Sequence, residues 1–329
     1  MANGIGRKRA FGIAAQTTFG TASATASYWL PVIDWTPGES VMYVENTAMI
    51  GSSYEINDAE VEGKLANPSF TLKVDEASFP LLLKTFGTLT TATHSGDDAV
   101  YDHTIAFNSS NTRQLYTIFV DDPDRTDLTF DSFRVDSINL SVQRGKFVEV
   151  ELSGISRYPV TASHTPSLSD FLEFTAANSA FQIADTGGSL STVKLLEAEL
   201  AHNFNVSDDD DNFNLGSLDI EQSFSKEATF EHSVKLHFPN LDYKHKVRDN
   251  TQQQYEAQII DTGRDVSTST AGTNPSITFE YPQAYLSGWT EDGGANDILK
   301  QDLTVKPLDK INVGDAPVKI VCVNAVTGY

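Results

Sequence analysis

The chain has 329 residues, of which 40% are hydrophobic, and its 45 Asp and Glu against 23 Lys and Arg give a formal net charge of −22. That length and apolar fraction exclude a disordered chain and suffice for two domains, each with its own core. The acidic balance excludes a protein that grips DNA through its phosphates, which takes basic side chains, but suits solubility or a place beside DNA without holding it.

The N-terminus carries Arg7, Lys8 and Arg9 with no apolar stretch behind them, so it does not read as a secretory signal. No segment approaches the roughly 18–20 apolar residues of a membrane span. The expectation is a soluble protein, made and used without export and with no membrane partner. The single cysteine, Cys322, lies in the apolar run Val318–Val323. It cannot form an internal disulfide and reads as a small buried hydrophobe.

Along the chain the strongest signal is period-two alternation. Phe70, Leu72 and Val74 alternate with Ser69, Thr71 and Lys73; Ile138, Leu140 and Val142 do the same, as do Val148, Val150 and Leu152. Later, Leu196, Ala198, Leu200, Phe204 and Val206 alternate with Glu197, Glu199, Asn203 and Asn205, and Phe230, Val234, Leu236 and Phe238 with polar neighbours. Each run suits a strand with one wet and one dry face, and together they predict an all-β protein of antiparallel sheets packed as barrels or sandwiches. Helical signals are few. Ser78–Gly87 has a capping Ser78, Pro80 in the first turn and a terminating Gly87, and Thr251–Ile260 is a second candidate.

Two long polar stretches lie between strands. The first, about 45–63, holds Glu45, Asn46, Gly51, Ser52, Asn57 and Asp58; the second, 207–226, opens with Asp208, Asp209, Asp210 and Asp211 and continues through Gly216 and Ser217. Structureless loops of this length are uncommon inside compact domains. A hairpin reaching to a neighbouring subunit is one use for them, and a mobile solvated loop is the other reading.

The order of elements repeats. Gly51-Ser52 and Gly216-Ser217 each precede a strand, then a helix candidate, then strands near His103–Phe107 and Ser276–Phe279, and closing runs at Phe147–Gly154 and Val318–Asn324. The offset of about 165–173 residues is near half the chain and points to a duplication. A stretch rich in Ser, Thr, Ala and Gly between the halves reads as a linker over 161–190. The first β domain is then expected over 31–160 and the second over 191–329.

Catalytic and metal chemistry finds little support. His232 and His237 have odd spacing and point to opposite faces of a strand, so together with His245 they make a poor zinc site. His202 falls on the apolar face of its strand and reads as a hydrogen-bonded core histidine. Asp208, Asp210 and Asn212 form a weak calcium candidate, because an EF-hand loop wants glycine where Phe213 stands and glutamate where Asp219 stands. No phosphate loop or nucleophile elbow is present. The reading is a non-enzyme with no cofactor.

Several stretches carry a family likeness. Gly12–Thr21 followed by Tyr28–Val32, then Glu60–Gly63 leading into Pro68–Leu72 and Leu81–Gly87, and finally Val318–Asn324, together resemble the tail tube (major tail) proteins of long-tailed bacteriophages. The resemblance implies an N-terminal arm over 1–30, containing Arg7, Lys8, Arg9, Phe11 and Phe19, and long hairpins that join stacked rings. It implies a virion tail protein assembled in the host cytoplasm, with tape-measure, tail-tip and terminator proteins as partners and DNA passing without specific binding. Two tube-like domains in one chain would give trimeric, pseudo-hexameric rings; otherwise rings would be hexameric. The competing readings are a β-sandwich module binding carbohydrate or a receptor, a tail terminator or baseplate hub, and, with least support, a hydrolase.

Overall fold

The structure, a computed structural model, describes residues 6–47, 56, 58–168, 170, 172–207, 212–237, 241–293, 298–309 and 316–329. The N-terminal half holds β1 (Ala10–Gln16), β2 (Tyr28–Leu30), β3 (Val32–Thr36), β4 (Glu39–Asn46), β5 (Asp58–Ala66), β6 (Ser69–Lys73) and α1 (Phe79–Leu83). It continues with β7 (Gly87–His94), β8 (Asp97–Phe107), β9 (Leu115–Asp121), β10 (Asp127–Gln143), β11 (Glu149–Ile155) and β12 (Val160–Ala162). The C-terminal half holds β13 (Ser179–Asp185), β14 (Ser191–Val193), β15 (Leu195–Asn203), β16 (Thr229–His237) and α2 (Asp242–Arg248). It ends with β17 (Gln253–Ile260), β18 (Ser276–Asp292), β19 (Lys300–Pro307) and β20 (Lys319–Asn324).

The fold is all-β and antiparallel, as the alternation predicts. Phe70 and Leu72 of β6, Val150 and Leu152 of β11, and Val234 and Leu236 of β16 all point into the core, with their polar neighbours outside. α1 is buried at every position, with Pro80 in its first turn, where no helical partner for an N–H is needed. Gly87 then starts β7. A Cβ there would stand 2.1 Å from the carbonyl oxygen of Ala106, so only glycine lets β7 close on β8.

Three expectations differ from the structure. Thr251–Ile260 is a strand rather than a helix for most of its length. Tyr255 and Ile259 are buried while Gln254, Glu256 and Gln258 lie half-exposed, which is period two, and the helix sits earlier as α2. Residues 10–16 of the expected arm form β1, a buried strand laid along β9. The expected linker contains β13, whose Phe181 and Ile183 are core residues.

The pairing scheme occurs twice. In the first half β1 pairs β2 and β9, β10 pairs β9, β11 and β12, and β6 pairs β3 and β11. In the second, β13 pairs β14 and β17, β18 pairs β17, β19 and β20, and β16 pairs β15 and β19. The bulges recur as well. β10 is irregular after Phe130 and after Val135, and β18 after Tyr281 and after Leu286, one offset in both cases (281 − 130 = 151 and 286 − 135 = 151). β3 skips a residue between Val32 and Asp34, and β15 between Leu195 and Glu197, again at one offset (195 − 32 = 163 and 197 − 34 = 163). Bulges are specific local features, so their recurrence at matched positions marks two copies of one scheme. The β7–β8 hairpin lies between α1 and β9, a place where the second half passes directly from α2 to β17.

The first bulge of β10 is held by Gln16. Its Oε1 accepts the backbone N–H of Ser132 at 2.8 Å and the hydroxyl of Thr117 at 2.9 Å, and Ser132 takes a positive φ of 56° there. Across its bulges β10 changes neighbours, from β9 and β12 to β11 and β15, and β18 changes from β17 and β20 to β19.

The halves are joined by two strand pairs. Ser137–Gln143 of β10 pairs with Asn203–Glu197 of β15, and Tyr101–Ala106 of β8 with Asn324–Lys319 of β20. One sheet therefore runs through both halves in the order β18–β19–β16–β15–β10–β11–β6–β3, and one hydrophobic cluster lies beneath it. Leu200 sits in that cluster at the joint. Leu200→Ala is expected to cost about 2–5 kcal/mol. Urea denaturation followed by tryptophan fluorescence and by far-ultraviolet circular dichroism should give one coincident transition; a cost below about 1 kcal/mol, or two separated transitions, would contradict a shared core.

Candidate assembly surfaces

The surfaces open to another chain are the ends of the long sheet, its polar face, and the two long connections. Strand alternation builds the polar face. Glu149 and Glu151 of β11, Glu197 and Glu199 of β15, Glu231 of β16 and Asp302 of β19 all stand on the side away from the core, with Asp34 and Asp292 near the two ends. The lysines beside them are Lys73, Lys235, Lys300 and Lys306. Lys306 is bound to Glu231 at 2.7 Å, and Lys235 lies 3.7 Å from Asp302. The face is acidic, and Lys235 and Lys306 are engaged by its own carboxylates, while Lys73 pairs with Glu173.

The two long connections differ. β4 and β5 form a two-stranded ribbon, bridged to the rest of the chain at its base where Lys64 meets Asp219 and Ala66 meets Ser156, with Tyr43 and Val44 exposed. Glu45 and Asn46 end β4 opposite Ala59 and Asp58, and Asp58 accepts the N–H of Ala59 at 2.9 Å. Gly51, Ser52 and Asn57 lie outside the described residues. The second connection contains no strand among its described residues and lies against the first half. Leu218 accepts the N–H of Lys64 at 2.6 Å, Asp219 binds Arg157 at 2.8 Å, and Ser223 accepts from the buried Arg134. Gly216 and Ser217 form its tip. Gly216 has φ +89° with open space around it, and Ser217 donates to Glu221 at 2.7 Å.

The calcium candidate is reached only in part. Asp208 and Asp210 lie outside the described residues, as do Asp209 and Asp211. Asn212 is buried and its amide donates to the Ser207 carbonyl at 2.5 Å, which turns its nitrogen into the loop. Among the described residues no three His, Cys, Asp or Glu side chains gather as a metal site.

The N-terminal residues split by role. Arg7 is exposed, Lys8 binds Asp124 at 3.1 Å, and Arg9 binds Asp122 at 2.7 Å. Phe11 is buried on β1 against Trp35, and Phe19 packs at the edge of the core.

His202 and His232 lie in the core as neighbours, with ring centroids 4.9 Å apart. His202 Nδ1 faces the Ile138 carbonyl at 3.3 Å, so it carries the hydrogen, and Nε2 accepts from the Tyr281 hydroxyl at 2.8 Å. Burial pushes the His202 imidazolium down to about 3 and lowers His232 as well, which leaves both neutral at neutral pH. His237 is exposed on the opposite face of β16. The two buried histidines serve as packing and hydrogen-bonding groups.

With this geometry in view, comparison with known sequences decides the family. A family model described as phage tail tube protein matches residues 6–307. The chain belongs to the phage tail tube protein family. It is a structural component of the virion tail. The match spans both halves, so the sheet shared between them lies within the family's own span. No curated protein matches the chain.

The buried histidines of this tail tube family member give it an acid sensitivity. A depressed folded-state pKa contributes stability that is present above the unfolded value near 6.5 and is lost as pH falls toward about 3. His202→Phe is expected to flatten the fall of melting temperature between pH 6.5 and 4.5; a slope equal to that of the wild type would contradict the assignment.

Proposed function

We propose that the chain assembles with copies of itself into stacked rings that form the tail tube and conduct DNA during ejection. The observation that carries this reading is the eight-stranded sheet, in which two copies of one four-strand scheme lie side by side. A contact that sets one unit beside the next in the same orientation is heterologous, and such contacts close into rings when the rotation allows. Six tube-like units around a ring then require three copies of this chain. On this reading the two units are tandem tube domains, spanning about the two halves of the chain.

The polar face of the sheet lines the lumen. Its carboxylates repel the duplex, whereas a basic lining would hold phosphates and slow passage. Screening confines that repulsion to about 8 Å, so carboxylates on the lining itself are what matter. The β4–β5 ribbon reaches toward the next ring. Tape-measure, tail-tip and terminator proteins contact the tube at its core and ends. The protein works without catalysis, and the tail is completed in the host cytoplasm.

Two measurements test this. Native mass spectrometry of assembled rings should give three chains per ring, and six would contradict the tandem reading. Glu149→Gln, Glu151→Gln, Glu197→Gln and Glu199→Gln together should leave tubes intact and slow DNA ejection; unchanged ejection kinetics would sink the role of the acidic lining.

A further inference from the structure

Two arginines are buried in this acidic chain without a carboxylate partner among the described residues. Arg113 lies on the connection from β8 to β9, and Arg134 lies on β10 between its two bulges. They are 7% and 3% exposed. Both line an open cavity of about 610 Å³, together with Lys84 at the end of α1 and the fully buried Thr85. None of the residues lining that cavity is Asp or Glu. Taking a charge out of water is costly unless it is paired. Elsewhere Arg9, Arg157 and Arg264 each meet a carboxylate.

Each buried arginine uses one corner of its guanidinium. Arg113 Nη1 donates to the carbonyls of Phe86 at 3.1 Å and Asn108 at 2.9 Å, and more distantly to Asn108 Oδ1 at 3.4 Å. Arg134 Nη1 donates to the carbonyl of Ser223. The rings of Phe107 and Phe204 hold the Arg113 guanidinium at 4.6 and 5.3 Å. Among the described residues, Nε and Nη2 of both arginines have no hydrogen-bond partner, and neither does the Thr85 hydroxyl. An Nε–Nη2 edge presents two parallel N–H groups, which suit two oxygens of one anion. Lys84 Nζ gives one hydrogen to the main-chain oxygen of Tyr329 at 3.2 Å and has two more to offer. Burial, helped by the nearby charge of Arg113, pulls the Arg134 guanidinium down to about 10, and burial lowers Arg113 and Lys84 as well. That is the direction for cations short of a counter-ion.

We propose that this cavity binds a small free oxyanion of the phosphate type, held by Arg113 and Arg134, with Lys84 and the Thr85 hydroxyl as further donors. A tetrahedral oxyanion carries enough acceptor oxygens to serve two guanidiniums at once, which a single carboxylate does less well. The occupant is a free ion rather than a phosphate of nucleic acid, because both arginines are too deeply buried for a duplex backbone to lie against them. The bound ion ties together the end of α1, the 108–114 connection and the bulged stretch of β10. Through Arg134 and Ser223 it also steadies the second long connection. Because the unfolded chain has no such site, the ion stabilises the folded state. The site needs no second chain, so it does not depend on the ring reading.

Titration of the full chain with inorganic phosphate tests this, by calorimetry and by melting temperature, at constant ionic strength in chloride buffer. A single phosphate should bind each chain, and the melting temperature should rise with phosphate and with sulfate but not with chloride. R134K keeps the charge and loses the fork, and is expected to weaken phosphate binding by at least about tenfold. Lys84 is only half-buried, so K84M should fold, and it should weaken phosphate by a smaller factor. Absence of both binding and a rise with either anion would overturn the site. So would R134K and K84M chains that bind phosphate as the wild type does. If R134K does not fold, K84M decides alone, and wild-type affinity in that variant counts against the site. Displacement of the phosphate by a short DNA duplex would overturn the assignment to a free ion.

Discussion

A strand edge is a row of unsatisfied N–H and C=O groups, and a folded chain must pair it, cover it or expose it to another molecule. In β10 that row is taken up by β15, and the rest of the structure follows from this contact. It merges the two halves into one sheet over one core. It fixes which side of the sheet is dry and which is wet in both halves, because a one-residue slip would turn every side chain over. The bulges in β10 and β18 make it possible. Across them the neighbours change, so that the second part of β10 meets β15 while the first part stays with β9 and β12.

The electrostatics follow from the same geometry. Alternation sends the carboxylates of β11, β15, β16 and β19 to one face and leaves the other for Leu140, Leu152, Leu200 and Leu303. Some polar groups that enter the core are neutral and bonded, as with His202 and Tyr281, and others are held by backbone carbonyls. Arg113 donates to the carbonyl of Phe86 at 3.1 Å and of Asn108 at 2.9 Å. The carboxylates of this face thus stand where water reaches them.

The strands, the antiparallel class and the family likeness were legible in the sequence because each leaves a local signature. The pattern at Ser69–Val74 gives β6, and Ser78–Gly87 contains α1. A repeated order of elements was legible in the sequence, but the register of the repeated pairings was not. Matching His103–Phe107 with Ser276–Phe279 sets β8 against β18, whereas the pairings set β10 against β18; likewise Val318–Asn324 answers to β12 rather than β11. The β7–β8 hairpin, present in one half, shifts every later strand and hides the match. Thr251–Ile260 misled because glutamines favour a helix locally, and only packing of Tyr255 and Ile259 shows the strand.

The most direct measurement is a helical reconstruction of the assembled tube by electron cryomicroscopy at a resolution that separates strands. Threefold rings are expected, in which each chain contributes two neighbouring units, with Glu149, Glu151, Glu197 and Glu199 facing the lumen. A ring of six chains, or a tube with that face turned outward, would contradict this arrangement.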